Sequence, residues 1–328
     1  MEPKDITVVC CVEAGPLELM AVRMVESLRK FGGRFSEMDV FAVTPRLGAP
    51  LLPSTRRAFA ALDVHYLRFP ARDPYGWNHF MNKPRALRKV EELTQTECVA
   101  WLDSDIILLG EPEALLLENG QDIAACPSDK NLGTSGIRDV NEPYWAAICK
   151  ALAIDIEALP WITTEQEQAR IRLYWNSGVF VYRRGFHFSN AFYDTCAEML
   201  EAGIASKNAG IFFTDQVALG LTAHRKALRH SNLPYSHNFI LGSKLEKPVS
   251  KTALKDARIC HYHDFMWPDY FKEMLGLIGE NHPTISEWLE GLGPLRNPSS
   301  FSGKVVAKLL TKPRRRKFDR IAAACTQF

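Results

Sequence analysis

The stretch VAWLDSDIILLG, residues 99–110, places two aspartates between two apolar runs. The apolar runs predict a buried β-strand over residues 97–109. Because residues i and i+2 of an extended strand point to the same side, the carboxylates of Asp103 and Asp105 are expected to project together. Alone they would repel each other, and one would keep its proton. Mg²⁺ and Mn²⁺ favour such oxygen ligands, so the pattern predicts a divalent metal site, with two solvated aspartates as the simpler alternative.

The segments around this stretch alternate between strand-like and helix-like patterns. β-branched and apolar runs predict strands at 6–15, 38–46, 63–69, 97–109 and 122–127, and apolar periodicity predicts helices at 16–31, 54–61 and 83–93. Further helices are predicted at 141–154, 188–203 and 214–224, and strands at 173–184 and 257–264. This order predicts an α/β fold with a doubly wound, mostly parallel central sheet flanked by helices. Ligands of such sheets bind beyond the carboxyl ends of the strands, where Asp103 and Asp105 lie.

Composition narrows the class of protein. The chain has 328 residues, 46% of them hydrophobic, and a formal net charge of only +2, so nothing global indicates nucleic-acid binding. The eight cysteines form no CxxC pair and lie mostly in apolar segments, which favours reduced, buried thiols. The sequence has no signal-peptide pattern at its start and no apolar run of about 18–20 residues. These features together predict a cytoplasmic setting.

Three polar clusters lie near predicted element boundaries. Lys83 precedes Pro84 at a helix start, where free N–H groups and the helix dipole favour an anion. The triplet Asn176-Ser177-Gly178 enters an apolar strand and offers hydrogen-bonding groups together with a close backbone approach. Asp215 and Gln216 open a helix, where capping is the simpler explanation. Each cluster is also compatible with a purely structural role.

The segment CHYHDF, residues 260–265, offers two histidines two residues apart. In an extended strand His261 and His263 would face the same side, with Cys260 and Asp264 facing the other. A four-ligand zinc site is disfavoured, because no second cluster has ligand spacing. One of these histidines completing an aspartate-bound metal site fits better, since imidazole also binds first-row divalent ions.

Taken in order, these pieces resemble the GT-A nucleotide-sugar glycosyltransferases, and among them most closely the family 8 type. The matching pieces span about residues 5–265 and consist of VEAG at the end of the first strand, NKPRAL, LDSD, NSGVFV, TDQ and CHYHD. The resemblance implies transfer of a sugar, with retention of configuration, from a nucleotide diphosphate donor, with UDP as the carrier. The acceptor would be a glycan, a lipid-linked molecule or a small molecule.

The resemblance also implies roles for particular residues. Mn²⁺ or Mg²⁺ would be held by Asp103, Asp105 and His261, with His263 as the rival ligand, and would bridge the donor diphosphate. The implied catalytic residues are Asp215 and Gln216, beside the reacting carbon, and Lys83, near the phosphates or the donor sugar. The other implied donor-binding residues are Val12 and Glu13 at the base, Ser104, and the triplet Asn176, Ser177 and Gly178.

One departure from the family pattern follows the late histidine. Family members commonly continue with glycine and then Lys-Pro-Trp, whereas this chain reads HYHDFMWPDYF, with Asp264 in place of the glycine and no lysine. A second phosphate-binding cation would therefore have to come from elsewhere, such as the basic tail. The departure also keeps His263 open as a metal ligand.

Other classes of protein use parts of the same pattern. A haloacid dehalogenase-type phosphotransferase usually follows its Asp-x-Asp with threonine, where this chain has Ile106-Ile107, and the sequence has no downstream GDxxxD. A sugar nucleotidyltransferase normally has a glycine-rich loop after its first strand, but VEAGPLEL contains a single glycine. No P-loop motif is present. A binding protein with a retired site is disfavoured, because every candidate metal and sugar residue is kept.

The sequence divides into a predicted glycosyltransferase domain at 5–295 and a basic tail at 296–328. The stretch 303–320 holds eight Lys or Arg residues against one Asp, and Val305, Val306, Leu309 and Leu310 share one helical face. Such a helix predicts peripheral contact with a membrane surface, and a merely solvated basic helix is the alternative.

Overall fold

A computed structural model describes residues 1–242 and 250–328, so residues 243–249 of the predicted 5–295 domain lie outside the described part. The fold is mixed α/β, as the alternating pattern predicts. The strands are β1 (Ile6–Cys11), β2 (Asp39–Thr44), β3 (Val64–Arg68), β4 (Cys98–Leu102), β5 (Ile106–Leu108), β6 (Ile123–Cys126), β7 (Trp161–Thr163), β8 (Arg170–Arg172), β9 (Asn176–Arg183), β10 (Ile204–Ala205), β11 (His230–Asn232), β12 (Phe239–Ile240), β13 (Ile259–His261) and β14 (Thr326–Gln327).

The α-helices follow the predicted helical segments closely up to residue 225. They are α1 (Pro16–Phe31), α2 (Pro53–Ala61), α3 (Asn82–Leu93), α4 (Glu142–Ala151), α5 (Phe188–Glu201), α6 (Thr214–Arg225), α7 (Lys251–Asp256), α8 (Pro268–Gly279), α9 (Pro283–Leu292) and α10 (Phe301–Ala324). No helix within residues 1–242 or 250–328 combines the length and the apolar character needed to cross a bilayer.

The central sheet has seven strands in the order β11-β6-β9-β4-β1-β2-β3. Its pairs are parallel, except that β9 runs antiparallel to both β4 and β6. Strands buried on both faces need apolar residues on both sides, and β1 and β4 are apolar throughout or nearly so. One face is covered by α3, α5 and α6, and the other by α1 and α2. The mostly parallel sheet flanked by helices is therefore confirmed.

The predicted single strand over 97–109 is wrong. The chain ends β4 at Leu102, turns at Ser104 and Asp105, and begins β5 at Ile106. β5 pairs with β13 in a separate three-stranded sheet, in which Ile106 lies opposite His261. Both strands are fully buried, so their hydrophobicity reads as one apolar run and hides the change of sheet. The two aspartates therefore meet through a turn and not through strand alternation.

The predicted strand over 257–264 is also shorter in the structure. β13 ends at His261, and His263 adopts a left-handed backbone conformation with φ of 45°. The alternation that placed both histidines on one face of a strand does not apply. Their rings nevertheless lie side by side, with centroids 4.3 Å apart, because the chain turns immediately after the strand.

The segment 296–328 packs along the body of the protein. In α10, Phe318 lies edge-on against Trp77 with ring centroids 5.8 Å apart, and Ile321 and Ala322 contact the same core cluster. The face named in the sequence analysis is more open, since Val305 is 44% and Leu309 67% exposed. The division into a domain and a tail stays a prediction, but the second half of α10 contributes to the core.

The loop between β6 and α4 is organised by Asp139. Its carboxylate accepts hydrogen bonds from the backbone N–H (2.9 Å) and hydroxyl (2.6 Å) of Ser135 and from the N–H of Asn141 (2.9 Å), and Lys130 Nζ lies 2.6 Å away. Burial alone would raise the pKa of Asp139, but Lys130 and the Ser135 donors outweigh it and lower the pKa to about 2.

We expect Asp139→Asn to lower the free energy of unfolding by about 2 kcal/mol at neutral pH, because a charge-assisted network is lost. Since the folded pKa lies below the unfolded value of about 3.9, the ionised carboxylate stabilises the fold above that value. The deficit of the variant should therefore shrink as the pH falls from about 4 to 2. Denaturant titrations across that range measure it, with the exposed Asp194→Asn as the control. A deficit that does not depend on pH would contradict the role of the charge.

Candidate active site

A cavity of about 1200 Å³ opens at the carboxyl edge of the central sheet. Small-molecule sites usually measure about 300–1,000 Å³, so this one has room for a large ligand or for two ligands. Its walls include nearly all the residues singled out from the sequence, which are Glu13, Lys83, Asp103, Ser104, Asp105, Asn176, Ser177, Gly178, Asp215, Gln216, His261 and His263. Val12 lies instead in the apolar core beneath the cavity, fully buried.

Three residues on the cavity floor fit a metal ion. One ligand atom each from Asp103, Asp105 and His261 can be chosen so that all lie within 4.8 Å of one another, and His261 Nε2 is 3.2 Å from Asp105 Oδ1. Two carboxylates and one imidazole form a donor set that suits Mn²⁺, and carboxylates also bind Mg²⁺. The turn at Ser104 and the end of β13 bring these groups together. The residues present therefore fit the predicted cation.

The charges of this group are coupled. Burial raises the pKa of Asp103, with Asp105 adding to the effect and Lys83 opposing it. Burial would also raise the pKa of Asp105, but the nearby His261 outweighs it and holds the pKa well below its usual range. For His261, burial favours the neutral ring, yet Asp105 raises the pKa overall. The protonated imidazole therefore supplies part of the positive charge that a bound metal ion would supply to the two carboxylates.

His261 is oriented by a side chain that the sequence analysis missed. Its Nδ1 lies 3.3 Å from Oδ1 of Asn238, and the amide nitrogen of Asn238 donates to Asn176 Oδ1 at 2.8 Å. A proton on Nδ1 would be shared with Asn238 and leave Nε2 directed at Asp105. Partners of this kind orient metal-binding histidines in many proteins. Asn238 lies in SNLPYSHNFI, a stretch without a motif, so only the packing identifies it.

His263 has a different environment. Its ring lies beside that of His261 at an interplanar angle of 39°, and its Nε2 is buried without a hydrogen-bond partner among the described residues. Burial, together with the proximity of His261, lowers its pKa to about 4, so the ring is neutral near pH 7. The cluster of ligand atoms contains His261, and the choice between the two histidines as metal ligand stays a prediction.

Gly178 allows the His261 ring to approach the sheet. A Cβ atom at this position would lie 2.6 Å from the Cε1 atom of His261 and 2.8 Å from its Nδ1. Both are ring atoms of a buried side chain whose neighbours hold it in place. The close approach expected from the glycine of the NSG triplet is therefore present, and the imidazole of His261 makes it.

Lys83 connects the metal-binding side of the cavity to the opposite wall. Its Nζ donates to the carbonyl and the hydroxyl of Ser177, both at 2.8 Å, and lies 2.9 Å from Asp215 Oδ2 and 3.4 Å from Asp103 Oδ1. Burial would lower the pKa of Lys83, but Asp103 and Asp215 together raise it, so the ammonium stays charged. Lys83 is the second residue of α3 and lies inside the helix, although a residue that precedes proline is usually disfavoured in helical geometry.

The start of α6 faces the cavity with two buried polar side chains. Asp215 is bonded to Lys83 and accepts from the Ser177 hydroxyl at 3.0 Å. The Gln216 amide donates to the Tyr174 hydroxyl. Neither side chain caps the helix, whose N-cap is Phe213. The capping explanation is thus excluded for this pair.

Glu13, which follows β1, also lines the cavity. Its carboxylate forms an ion pair with Arg46, including a contact of 2.7 Å to Nη2, and accepts from Asn82 Nδ2 at 3.0 Å. Arg46 and Asn82 line the cavity and were not singled out from the sequence, although Asn82 directly precedes Lys83. Ser104 donates its hydroxyl to the carbonyl of Cys11, which fixes the turn between the two aspartates.

The fold is the GT-A fold of known glycosyltransferases. Solved structures similar to this chain include WbbM, a bifunctional glycosyltransferase, with a TM-score of 0.51 and 12% identity over 88% of this chain and 51% of that one. GlyE, a glycosyltransferase of Streptococcus pneumoniae TIGR4, has a TM-score of 0.48 and 14% identity over 90% of this chain and 65% of that one. Glucosyl-3-phosphoglycerate synthase from Mycobacterium tuberculosis, solved with Mn²⁺ and UDP, has a TM-score of 0.39 and 14% identity over 69% of this chain and 68% of that one.

The chain belongs to the family described as the Rhodobacterales glycosyltransferase domain, which matches residues 8–227. No curated protein is similar enough in sequence to match. The chain spans about half the length of WbbM and 65% of that of GlyE. Residues 8–227 therefore form a glycosyltransferase domain, which argues against the haloacid dehalogenase-type and sugar nucleotidyltransferase alternatives.

We expect the buried Lys83–Asp215 pair to be strongly coupled. We expect a double-mutant cycle of Lys83→Met and Asp215→Asn to show this coupling. The unfolding free energy lost in the double variant should differ by about 1–3 kcal/mol from the sum of the losses in the two single variants, because each single change leaves the other group buried without its partner. Chemical denaturation of the four proteins measures the coupling.

The control lies on the same helix. The Lys89–Glu92 pair is 2.9 Å apart but 41% and 60% exposed, so its cycle should give less than about 0.5 kcal/mol. Equal coupling in the two cycles would contradict the electrostatic role assigned to Lys83.

Proposed function

We propose that this protein transfers a sugar from a nucleotide diphosphate donor, with UDP as the carrier, in a reaction that depends on Mn²⁺ or Mg²⁺. The observation that carries the proposal is the convergence of Asp103, Asp105 and His261 on the floor of a large cavity, next to the Lys83–Asp215 pair. The order of these motifs along the chain supports placement nearest to family 8 of the GT-A enzymes. Family membership supports the sugar-transfer chemistry.

Asp103, Asp105 and His261 would hold the metal. When bound, the ion would supply Lewis-acid stabilisation of the charge that develops on the leaving diphosphate. Since His261 has a raised pKa beside Asp105, the imidazole must lose its proton before Nε2 can bind a metal. Asn238 keeps the ring oriented through Nδ1.

The remaining residues would bind and orient the donor. Glu13, held by Arg46 and Asn82, lies in the part of the cavity assigned to the base. Ser104, Asn176, Ser177 and Gly178 line the cavity. Val12 would contribute indirectly, by fixing the loop that carries Glu13. Its N–H donates to the Val43 carbonyl, and its carbonyl accepts from the Thr44 hydroxyl.

Asp215 and Gln216 would border the reacting carbon. A glycosyl centre becomes electron-poor in the transition state, and the Asp215 carboxylate, held by Lys83 and Ser177, supplies a negative charge of fixed position there. We propose retention of anomeric configuration, as the family resemblance implies. The acceptor would be a glycan, a lipid-linked molecule or a small molecule. NMR of the product anomer tests the stereochemistry.

We expect saturating Mn²⁺ and UDP together to raise the melting temperature by roughly 5 °C. Asp105→Asn and His261→Ala should remove the Mn²⁺-dependent part of this rise and abolish transfer, because each removes a ligand. His263→Ala should keep most of the shift. The matched control is Asp264→Asn, an exposed carboxylate next to the site. No metal-dependent stabilisation of the unmodified protein by UDP or any other nucleoside diphosphate at millimolar concentration would overturn the proposal.

We further propose that the protein acts in a cytoplasmic setting and touches an anionic membrane surface through the first half of α10. Lys304, Lys308 and Lys312 are spaced four residues apart and exposed, beside the open Val305 and Leu309 side chains. Each lysine near an anionic surface contributes about 1 kcal/mol to binding. Phe318, Ile321, Ala322, Cys325 and Phe328 pack on the core, so a test by deletion would disturb the fold as well.

Replacing Lys304, Lys308 and Lys312 together by Gln is expected to weaken sedimentation with phosphatidylserine vesicles more than about tenfold, because three surface charges are lost. The control replaces three exposed lysines elsewhere, Lys150, Lys226 and Lys272. Unchanged sedimentation of the α10 variant, or an equal loss in the control, would contradict the membrane contact and favour a merely solvated helix.

A further inference from the structure

Residues 326–328 form part of the fold next to the active site. Thr326 and Gln327 pair in parallel with Ile204 and Ala205 as a two-stranded sheet. The N–H of Thr326 donates to the Gly203 carbonyl at 2.8 Å, and the N–H of Phe328 donates to the Ala205 carbonyl at 3.0 Å. In return, the N–H of Lys207 donates to the carbonyl of Phe328 at 3.0 Å. The side chain of Phe328 packs against the same core cluster as Ala205.

The segment held by this strand leads directly to Asp215. After β10, Ser206 and Gly210 form a pair of backbone hydrogen bonds of 3.0 and 2.7 Å. The N–H of Phe212 then donates to Ala209 at 3.0 Å, and the Thr214 hydroxyl donates to the carbonyl of Ile211 at 2.8 Å. These are local bonds within a turn-rich connection. The pairing with residues 326–328 therefore anchors the connection from outside.

The same connection forms one wall of the cavity. Phe213 lines the cavity directly, and Phe212, which is 46% exposed, packs edge-on against Phe80 with ring centroids 4.6 Å apart. Phe80 lines the cavity as well. A shift of the connection would move this wall and the start of α6 together. The proposed metal ligands lie elsewhere, in the turn between β4 and β5 and at the end of β13.

We propose that residues 326–328 are a positioning element for the active site, which fixes the 203–214 connection and, through it, the placement of Asp215 against Lys83. As a statement about catalysis, this rests on the proposed sugar transfer. As a statement about structure, it stands on the hydrogen bonds alone. Positioning at this level affects turnover strongly, because a displacement of about 1 Å at a reacting centre can lower rates by about a hundredfold.

Two neighbouring proline substitutions test the role of the strand. Thr326→Pro removes the N–H that bonds to Gly203. Gln327→Pro is the matched control, because bonding alternates along a strand and the N–H of residue 327 faces away from β10. Phe328→Ala, which keeps the backbone of the strand and removes its anchoring ring, is the second variant. Its control is Phe186→Ala, an exposed phenylalanine in the turn that follows β9.

Two readouts separate positioning from general stability. Hydrogen exchange reports the amides of Gly210 and Phe212, which bond within the connection and not to residues 326–328. Kinetics report kcat for transfer alongside the Kd for UDP with Mn²⁺. In Thr326→Pro and Phe328→Ala we expect exchange at Gly210 and Phe212 to accelerate at least about tenfold, with β4 and β9 unchanged. The kcat should fall about tenfold or more while the Kd stays within about twofold.

The outcomes are distinguishable. Acceleration confined to the amides that bond to residues 326–328, with a wild-type kcat, would overturn the inference, as would equal losses in Thr326→Pro and Gln327→Pro. If the unmodified protein transfers no sugar from any donor, the proposed function fails. Hydrogen exchange at Gly210 and Phe212 then decides the structural part by itself.

Discussion

The arrangement of the active site depends on the contacts of the buried Lys83 ammonium group. Removing an ammonium ion from water costs several kcal/mol unless anions and hydrogen-bond acceptors replace the water. Lys83 obtains these from Asp103 after β4, Ser177 in β9 and Asp215 in α6. Four separate elements, with α3 as the fourth, must therefore meet at one point. The buried charge fixes the relative position of the two halves of the cavity.

The antiparallel course of β9 explains why a motif at the beginning of a strand reaches the site. In a wholly parallel sheet, only residues that follow strands lie at the carboxyl edge. β9 runs against its neighbours, so Asn176, Ser177 and Gly178 at its start lie level with the end of β4, where the N–H of Asp103 donates to the Gly178 carbonyl at 2.8 Å. One reversed strand thus adds polar groups to an edge that is otherwise supplied by loops.

Local patterns in the sequence predicted the helices near the site and the mostly parallel sheet, because apolar periodicity and helix boundary signals are local properties. They also singled out most of the side chains that meet in the cavity. The turn at Ser104 was missed, since two buried strands in different sheets read as one apolar run. Asn238 and the pairing of residues 326–328 with β10 were missed for a related reason. Each depends on contacts between distant segments and leaves no periodicity behind.

The contact between Gly178 and His261 has an evolutionary consequence. A side chain larger than hydrogen at position 178 would collide with the imidazole ring, and the ring itself is held by Asp105 and Asn238. Neither position can therefore drift independently. Across relatives of this protein, we expect position 178 to stay glycine wherever position 261 is histidine and to be released only where that histidine has been lost. The residues at these two positions would then indicate, from sequence alone, which relatives keep the site.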